Sequence, residues 1–344
     1  MSNLKVRLKR YPSNENPHPI LEPRKDVKWE CDAVFNPCVV RDGDTYHMLY
    51  RTYPKLIRGA PKLKRPGYKY DNRCSSIGYA HSEDGINFHT IDAPFISPSE
   101  NYDRYGCEDP RITKIDDTFY ITYTAIDGEL DKAIKPNVRL ALAVTKDFKT
   151  IEKKGVIVHS NLSKAGAFFP ERFSGDKIAL ILTASADTNN SSIFVRYFDN
   201  MESVYNTNID DWNQFFINTE PTIKSNWWLD RGPELGAPPI KTDKGWLIIF
   251  SAESMSDSWT ITAGLLDLEN PHKLIARTSG CLLQAVTNYE REGITPNVTF
   301  PEGAITIGDD LYVYYGAADT VIGLATCKVK DLLEELENNK LNFL

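Results

Sequence analysis

The chain has 344 residues, 41% of them hydrophobic and 25% charged, with a formal net charge of −7. This is ordinary material for a soluble globular core, and an acidic balance with no basic stripe argues against a nucleic-acid partner. No apolar run approaches the ~20 residues of a membrane span, and the first residues carry no apolar signal core, so a cytoplasmic protein without membrane association is expected.

Residues 1–30 are polar and proline-bearing and read as an arm or a first partial strand. From there one phrase recurs five times: a proline, an apolar run, an Asp/Gly turn, and a second run rich in aromatics. Asn36-Pro37 leads through Asp42-Gly43-Asp44 into Tyr46–Arg51. Asp109-Pro110 leads through Asp116-Asp117 into Phe119–Tyr123. Phe169-Pro170, Pro238-Pro239 and Phe300-Pro301 open the remaining copies. With Pro37, Pro110, Pro170, Pro238 and Pro301 as markers, the spacings are 73, 60, 68 and 63 residues. Such periods mark solenoids and propellers. Within the copies further short runs follow, such as Ser75–Ala80 and Val138–Val144, bounded by Asp/Gly/Ser turns. The pattern predicts an all-β, five-bladed propeller with four antiparallel strands per blade. It spans approximately residues 30–328 of a single domain covering 1–344. Helical period occurs only in the tail, Val329–Glu337, a short amphipathic C-terminal helix.

The six cysteines hold no Cys-x-x-Cys pair and the six histidines no ligand spacing. No metal is expected, and the cysteines read as small buried hydrophobes. Two inserts interrupt the repeat: the basic, proline-rich segment 54–72 and the aromatic segment 200–232. Both are candidates for pocket walls or subunit contacts, and a homo-oligomer is possible on this reading.

A propeller gathers one loop from each blade around its axis. Carboxylates in the turns (Asp42, Asp116, Asp243, Asp310) read as solvated hairpin tips. The block Glu108-Asp109-Pro110-Arg111 differs, because an apolar strand follows it and directs the acids to the axial pocket. Counterparts in other units are Glu171, Glu234 and Glu302, joined by Arg51, Arg111, Arg172 and Asp319. Carboxylates, arginines and aromatics without metal ligands suit a small carbohydrate, whose glycosidic bond needs an acid on one side and a nucleophile on the other.

These phrases resemble glycoside hydrolase family 130, the five-bladed group of β-mannoside phosphorylases and β-mannosidases. The resemblance covers Asn36-Pro37 with Tyr50-Arg51, Ser76–Ala80, Gly106–Thr113, Thr122–Ala125, Lys164 with Phe168–Pro170, Gly245–Leu247, Tyr289–Gly293 and Tyr314–Asp319. It implies that Asp109 is the general acid, acting through a hydroxyl of the bound mannosyl unit, and that Asn36, Arg51 and Asp319 hold that sugar. Glu108, Arg111, Lys164 and Arg172 are further expected substrate-binding residues.

The resemblance also implies phosphate ligands that this chain lacks. Leu182-Thr183 stands where a His-Arg pair is expected, Glu234 near a lysine position, Ser251 near a histidine, and Glu302 where a small residue or cysteine is expected. A glutamate beside an incoming phosphate forces two anions together. The first expectation is therefore an inverting exo-β-mannosidase in which Glu234, or else Glu302, activates water. The alternative is a β-mannoside phosphorylase releasing mannose 1-phosphate, with inorganic phosphate as co-substrate on Arg172, Arg231, Lys164 and Arg196 and no other cofactor. A non-catalytic sugar-binding propeller is the third reading. For the outer subsites, Trp227 or Trp228 is expected to stack on the sugar, beside the basic residues and tyrosines of segment 54–72.

Overall fold

The computed structural model describes residues 4–55, 74–127, 138–160, 163–186, 188, 190–224, 231–254 and 258–341. Trp227, Trp228 and most of segment 54–72 lie outside them, as do the side chains of Arg231, Glu253 and Ser254.

The strands form five antiparallel sheets in chain order. After β1 (Lys9–Arg10), blade 1 contains β2 (Ala33–Asp42), β3 (Thr45–Tyr53), β4 (Ser76–Ser82) and β5 (His89–Thr90). Blade 2 contains β6 (Gly106–Ile115), β7 (Thr118–Ile126), β8 (Val138–Thr145) and β9 (Glu152–Val158). Blade 3 contains β10 (Lys164–Phe168), β11 (Ile178–Ala184) and β12 (Ser192–Phe198), followed by helices α1 (Met201–Tyr205) and α2 (Ile209–Asn218). Blade 4 contains β13 (Arg231–Leu235), β14 (Ile240–Lys241), β15 (Trp246–Ser254), β16 (Ser258–Leu266) and β17 (Leu274–Arg277). A short helix α3 (Asn288–Arg291) leads to blade 5, with β18 (Thr299–Ile307), β19 (Asp310–Ala317) and β20 (Val321–Lys328), and α4 (Val329–Asn338) follows. The N-terminal β1 supplies the outer strand of blade 5, pairing Lys9 with Thr326 and Arg10 with Ala325. This clasp covers the last sheet's open edge. It is fastened by buried Arg10, which donates to Glu290 at 2.7 and 2.9 Å.

Four strands per blade describes the fold except in blade 4, where the innermost position is split into β13 and β14, both paired with β15, and in blade 3. There β12 is the last full strand, and residues 222–223 make only an isolated bridge to Ile193 at the outer place. The chain between them is spent on the two helices, each started by an asparagine cap (Asn200 and Asn208). Their aromatic side chains are therefore not pocket walls. Trp212 is fully buried between blades 2 and 3 with Phe194, Phe198 and Val204, and its Nε1 donates to Ile157 O at 2.8 Å.

The core lies between the blades. Successive residues of a strand point to opposite faces. In β11, Leu180 and Leu182 face blade 2 while Ala179 and Ile181 face blade 4. Equivalent apolar clusters join blades 1 and 2, 4 and 5, and 5 and 1. Sheets buried on both faces explain why the second strands read as unbroken apolar runs. α4 lays Leu332, Leu333 and Leu336 on the cluster between blades 4 and 5. Of the six cysteines, Cys38, Cys107 and Cys327 are buried as expected, whereas Cys31 and Cys281 are half-buried and Cys74 is exposed.

Candidate active site

The innermost strand of every blade has a register shift at the same level. It falls between Phe35 and Pro37, Glu108 and Arg111, Lys164 and Ala167, Arg231 and Glu234, and Pro301 and Gly303. In four of the five a residue with positive φ occupies the bulge: Asn36 (49°), Asp109 (53°), Ala165 (52°) and Gly232 (91°). A bulge bends its strand and re-aims a side chain. Five of them on one ring bring Asn36, Glu108, Asp109, Lys164, Glu234 and Glu302 toward a common axis.

Asp109 is the best-held group there. Its Oδ1 accepts from Asn36 Nδ2 at 2.8 Å and from Arg51 Nη1 at 3.0 Å. Arg51 Nη2 lies 2.8 Å from Glu108 Oε1, which also accepts from Ser75 Oγ at 2.7 Å. Neighbours in a regular strand point to opposite faces. Here the left-handed backbone of Asp109 turns both acids onto one guanidinium. Arg51 is fixed by its hydrogen bond to the Tyr53 hydroxyl and by the rings of Phe35 and Tyr53, 4.8 and 4.9 Å away. Burial alone would raise the Asp109 carboxyl. The charges of Arg51, Lys164 and Arg111 and the Asn36 hydrogen bond outweigh it and hold it below the usual aspartate range.

On the next blades Lys164 Nζ stands 3.3 Å from Glu234 Oε1, with both side chains largely covered. Glu302 is fully buried and accepts from Arg111 Nη2 at 3.2 Å. Burial, which Arg111 opposes, together with the charges of Asp109 and Glu234, pushes its carboxyl well above the usual glutamate range. Asp319 follows β19 in a left-handed pair with Ala318, and only part of its surface is covered. Its carboxyl is raised by burial, against a hydrogen bond from Thr295 and the charge of Arg51.

Three predicted residues fall elsewhere. Arg172 lies in the surface turn between β10 and β11 of blade 3, exposed and paired with the hairpin-tip carboxylates Asp116 at 2.9 Å and Asp176 at 3.5 Å. Glu171 beside it pairs with Lys241 at the surface. Pro170 and Pro238, used as repeat markers, lie beyond the bulges of their strands, whose true counterparts of Asn36-Pro37 are Ala165-Gly166 and Gly232-Pro233. The proline spacing therefore misplaces the register of the third and fourth units. Arg196 is also remote from this cluster, its guanidinium stacked 4.3 Å over Trp212.

Sequence reasoning does not find Ser75, Tyr53, Phe35 or Gly316. Tyr53 stands two residues after Arg51 on the same strand face, and Phe35 is Arg51's cross-strand partner, so period 2 could have found the first. Gly316 lies within the resembling phrase Tyr314–Asp319, but nothing local marks it as a neighbour of Asn36. A Cβ there would come within 2.8 Å of the Asn36 backbone nitrogen and closer still to its Oδ1. Gly316→Ala is accordingly expected to push the Asn36 amide off Asp109 and lower kcat/KM at least roughly tenfold, and to lower the melting temperature as well, because the Asn36 backbone must also shift. Steady-state kinetics beside a thermal melt checks this.

Residues 22–338 match the family model described as β-1,4-mannooligosaccharide phosphorylase of glycoside hydrolase family 130. A 1,2-β-oligomannan phosphorylase of Thermoanaerobacter sp. (strain X514) is 34% identical over 316 residues, covering 91% of this chain and 96% of that protein. The β-1,2-mannobiose phosphorylase of Listeria innocua, solved with β-1,2-mannobiose, superposes with a TM-score of 0.80 at 26% identity, over 96% of this chain and 99% of that one. A further structure, described with glycoside hydrolases of the family that target β-1,2 mannosidic linkages in Candida mannan, superposes at 0.75 over 96% of each chain; at 21% identity this is likeness of fold. The match along nearly the whole chain and the five-bladed fold agree: this protein belongs to glycoside hydrolase family 130 and is a glycosidase or closely related glycoside phosphorylase.

Proposed function

We propose that the protein cleaves small β-1,2-linked mannosides by phosphorolysis with inversion, releasing α-mannose 1-phosphate. The observation that carries this is the Asp109 carboxyl clamped by Asn36 and Arg51, with Lys164 contributing to its field. In this reading Asn36, Arg51 and Asp319 hold the mannosyl unit. A phosphate oxygen attacks C1 from the α face as the C1–O bond breaks. The leaving oxygen takes a proton that originates on Asp109, relayed by a sugar hydroxyl.

The electrostatics favour phosphate as the partner of this acid. In the free protein Asp109 is held ionised, the wrong state for an acid at neutral pH. Lys164 is the second largest of the favourable charges that keep it so, after Arg51. A phosphate drawn to Lys164 competes with Glu234, now 3.3 Å from that ammonium, adds its own negative charge nearby, and raises the carboxyl toward protonation. Phosphate binding would thereby prepare the acid. The phosphorylase relatives at 34% identity support the same reading over hydrolysis, the first expectation from sequence.

Hydrolysis stays as the second reading because of one feature. Thr183 and Ser251 stand where the resemblance implies basic phosphate ligands, and both hydroxyls serve the backbone: Thr183 Oγ1 accepts from Leu235 N and Ser251 Oγ donates to Thr260 O, each at 2.9 Å. Glu234 would then activate a water.

The test is to incubate the enzyme with β-1,2-mannobiose with and without inorganic phosphate and to resolve the products. Mannose 1-phosphate formed only with phosphate is expected. Two mannose molecules per cleavage at an unchanged rate without phosphate would overturn phosphorolysis, and loss of that activity in Glu234→Gln would establish the water-activating role.

A further inference from the structure

Arg111 belongs to the same Glu-Asp-Pro-Arg block as the acid, yet its side chain is 0% exposed and offers nothing to a sugar in the pocket. Its guanidinium instead donates to four acceptors on three blades. Nε reaches Gly236 O at 2.8 Å, Nη1 reaches Asp109 O at 2.9 Å, and Nη2 reaches Leu235 O at 2.9 Å and Glu302 Oε1 at 3.2 Å. Asp109 sits in the bulge, out of register with β7, so the ladder does not serve its buried carbonyl. A buried carbonyl needs a donor, and Arg111 supplies it. The Leu235 carbonyl belongs to the residue directly after Glu234, at the end of another bulged strand.

We propose that Arg111 is a positioning residue that fixes the separation between Asp109 on blade 2 and the Glu234–Lys164 pair on blades 4 and 3, and that Glu302 is its buried anchor, not the base. This rests on the reading of Asp109 as the acid. The planar fork suits that role, because it spans carbonyls on two strands at once, whereas a lysine ammonium is a single point of donation. Among the four acceptors only Glu302 is a side chain. Glu302 in turn is 0% exposed, with Oε1 on Arg111 and Oε2 without a hydrogen-bond partner among the described residues. Packing holds the partners in place: a Cβ on Gly236 would collide with the backbone of Pro301, next to Glu302.

The experiment compares Arg111→Lys, Glu302→Gln and Asp109→Asn with the native enzyme on two substrates, β-1,2-mannobiose and a dinitrophenyl β-mannoside. The aryl group leaves with little help from an acid. A misplaced acid therefore slows the disaccharide selectively, whereas general damage slows both. Arg111→Lys is expected to lower kcat on the disaccharide about 10²-fold, with KM within about threefold, and on the aryl mannoside less than about fivefold. Equal losses on the two substrates, or no loss, would overturn the positioning role. Should Arg111→Lys fail to fold, Glu302→Gln decides. It keeps an acceptor for Arg111, so disaccharide turnover within about tenfold of native supports an anchor, and a loss of about 10³-fold or more makes Glu302 the base and overturns the proposal. Asp109→Asn separates the two levels. Full turnover in that variant removes the acid reading and the positioning role with it. A dead Asp109→Asn beside an Arg111→Lys without leaving-group dependence removes the positioning role alone.

Discussion

Asp109→Asn is expected to lower kcat on a mannosyl disaccharide by about 10²- to 10⁴-fold while the propeller stays folded, the range a positioned proton donor contributes. The amide carbonyl can still accept from Asn36 Nδ2 and Arg51 Nη1, whose present distances are 2.8 and 3.0 Å, and Arg51 keeps Glu108 as its counter-charge. What is lost is the carboxylate's negative charge and its capacity to carry a transferable proton. The same variant carries a stability signature. The folded-state value of this carboxyl is depressed, against burial, by Arg51, Lys164 and Arg111. Its contribution to stability is therefore present above the unfolded value of about 3.9 and is lost as pH falls through the lower folded value. Melts from pH 7 downward should show the native protein losing this contribution at acid pH and Asp109→Asn, which never had it, declining less. A variant that keeps native turnover would remove Asp109 from the chemistry.

Arg51→Met carries the largest expected cost to the fold. Arg51 is 5% exposed and stands between Glu108 at 2.8 Å and Asp109 at 3.0 Å, themselves 1% and 5% exposed. Removing one partner of a buried ion pair leaves uncompensated charge, worth about 3–5 kcal/mol. Methionine fills much of the space against Phe35 and Tyr53, so the loss is electrostatic more than steric. Chemical denaturation at pH 7 should show it, and the deficit should narrow toward pH 4, where the stranded carboxylates accept protons. Turnover should fall with it, because Arg51 is the strongest of the charges acting on Asp109. Arg51→Lys should recover only part of both, since an ammonium cannot meet two carboxylates and a tyrosine hydroxyl in one plane. A deficit that does not vary with pH would point to lost packing and would remove the ion pairs from the account.

The blade count and the Glu-Asp-Pro-Arg site were legible because each rests on local order. Alternating apolar runs closed by Asp/Gly turns define strands without reference to anything distant, and five copies in a row leave a ring as the natural arrangement. The block Glu108-Asp109-Pro110-Arg111 lies within four consecutive residues. Even there, roles were not legible. Arg111 and Asp109 are equally polar as residue types, but Asp109 turns its carboxylate to Asn36 and Arg51, and Arg111 braces the backbone of two blades and the Glu302 side chain of a third.

The third and fourth units show where local reading stops. Proline makes a good marker in blades 1 and 2, where it follows the bulge directly. Ala165-Gly166 performs the same bend in blade 3 without a proline, and Pro170 begins a surface turn instead. Proline spacing alone would carry Glu171 and Arg172 to the axis, while the chain sends them to the outer surface beside Lys241 and Asp116. The segment 200–218 is likewise polar and aromatic in composition, and only the packing of Trp212 against blades 2 and 3 makes it core.

By itself the sequence determined most of the strands, the C-terminal helix and the number of blades, because these follow from periodicity and turn chemistry along the chain, whereas the helices at 201–218 and 288–291 were not read from it. The tertiary structure decided which charged groups meet. Asn36, Arg51, Asp109, Lys164, Glu234 and Glu302 are separated by up to 266 positions, and their approach depends on five bulges falling at one level of the ring. A bulge is one residue of extra chain, and a shift of one residue reverses every side chain that follows.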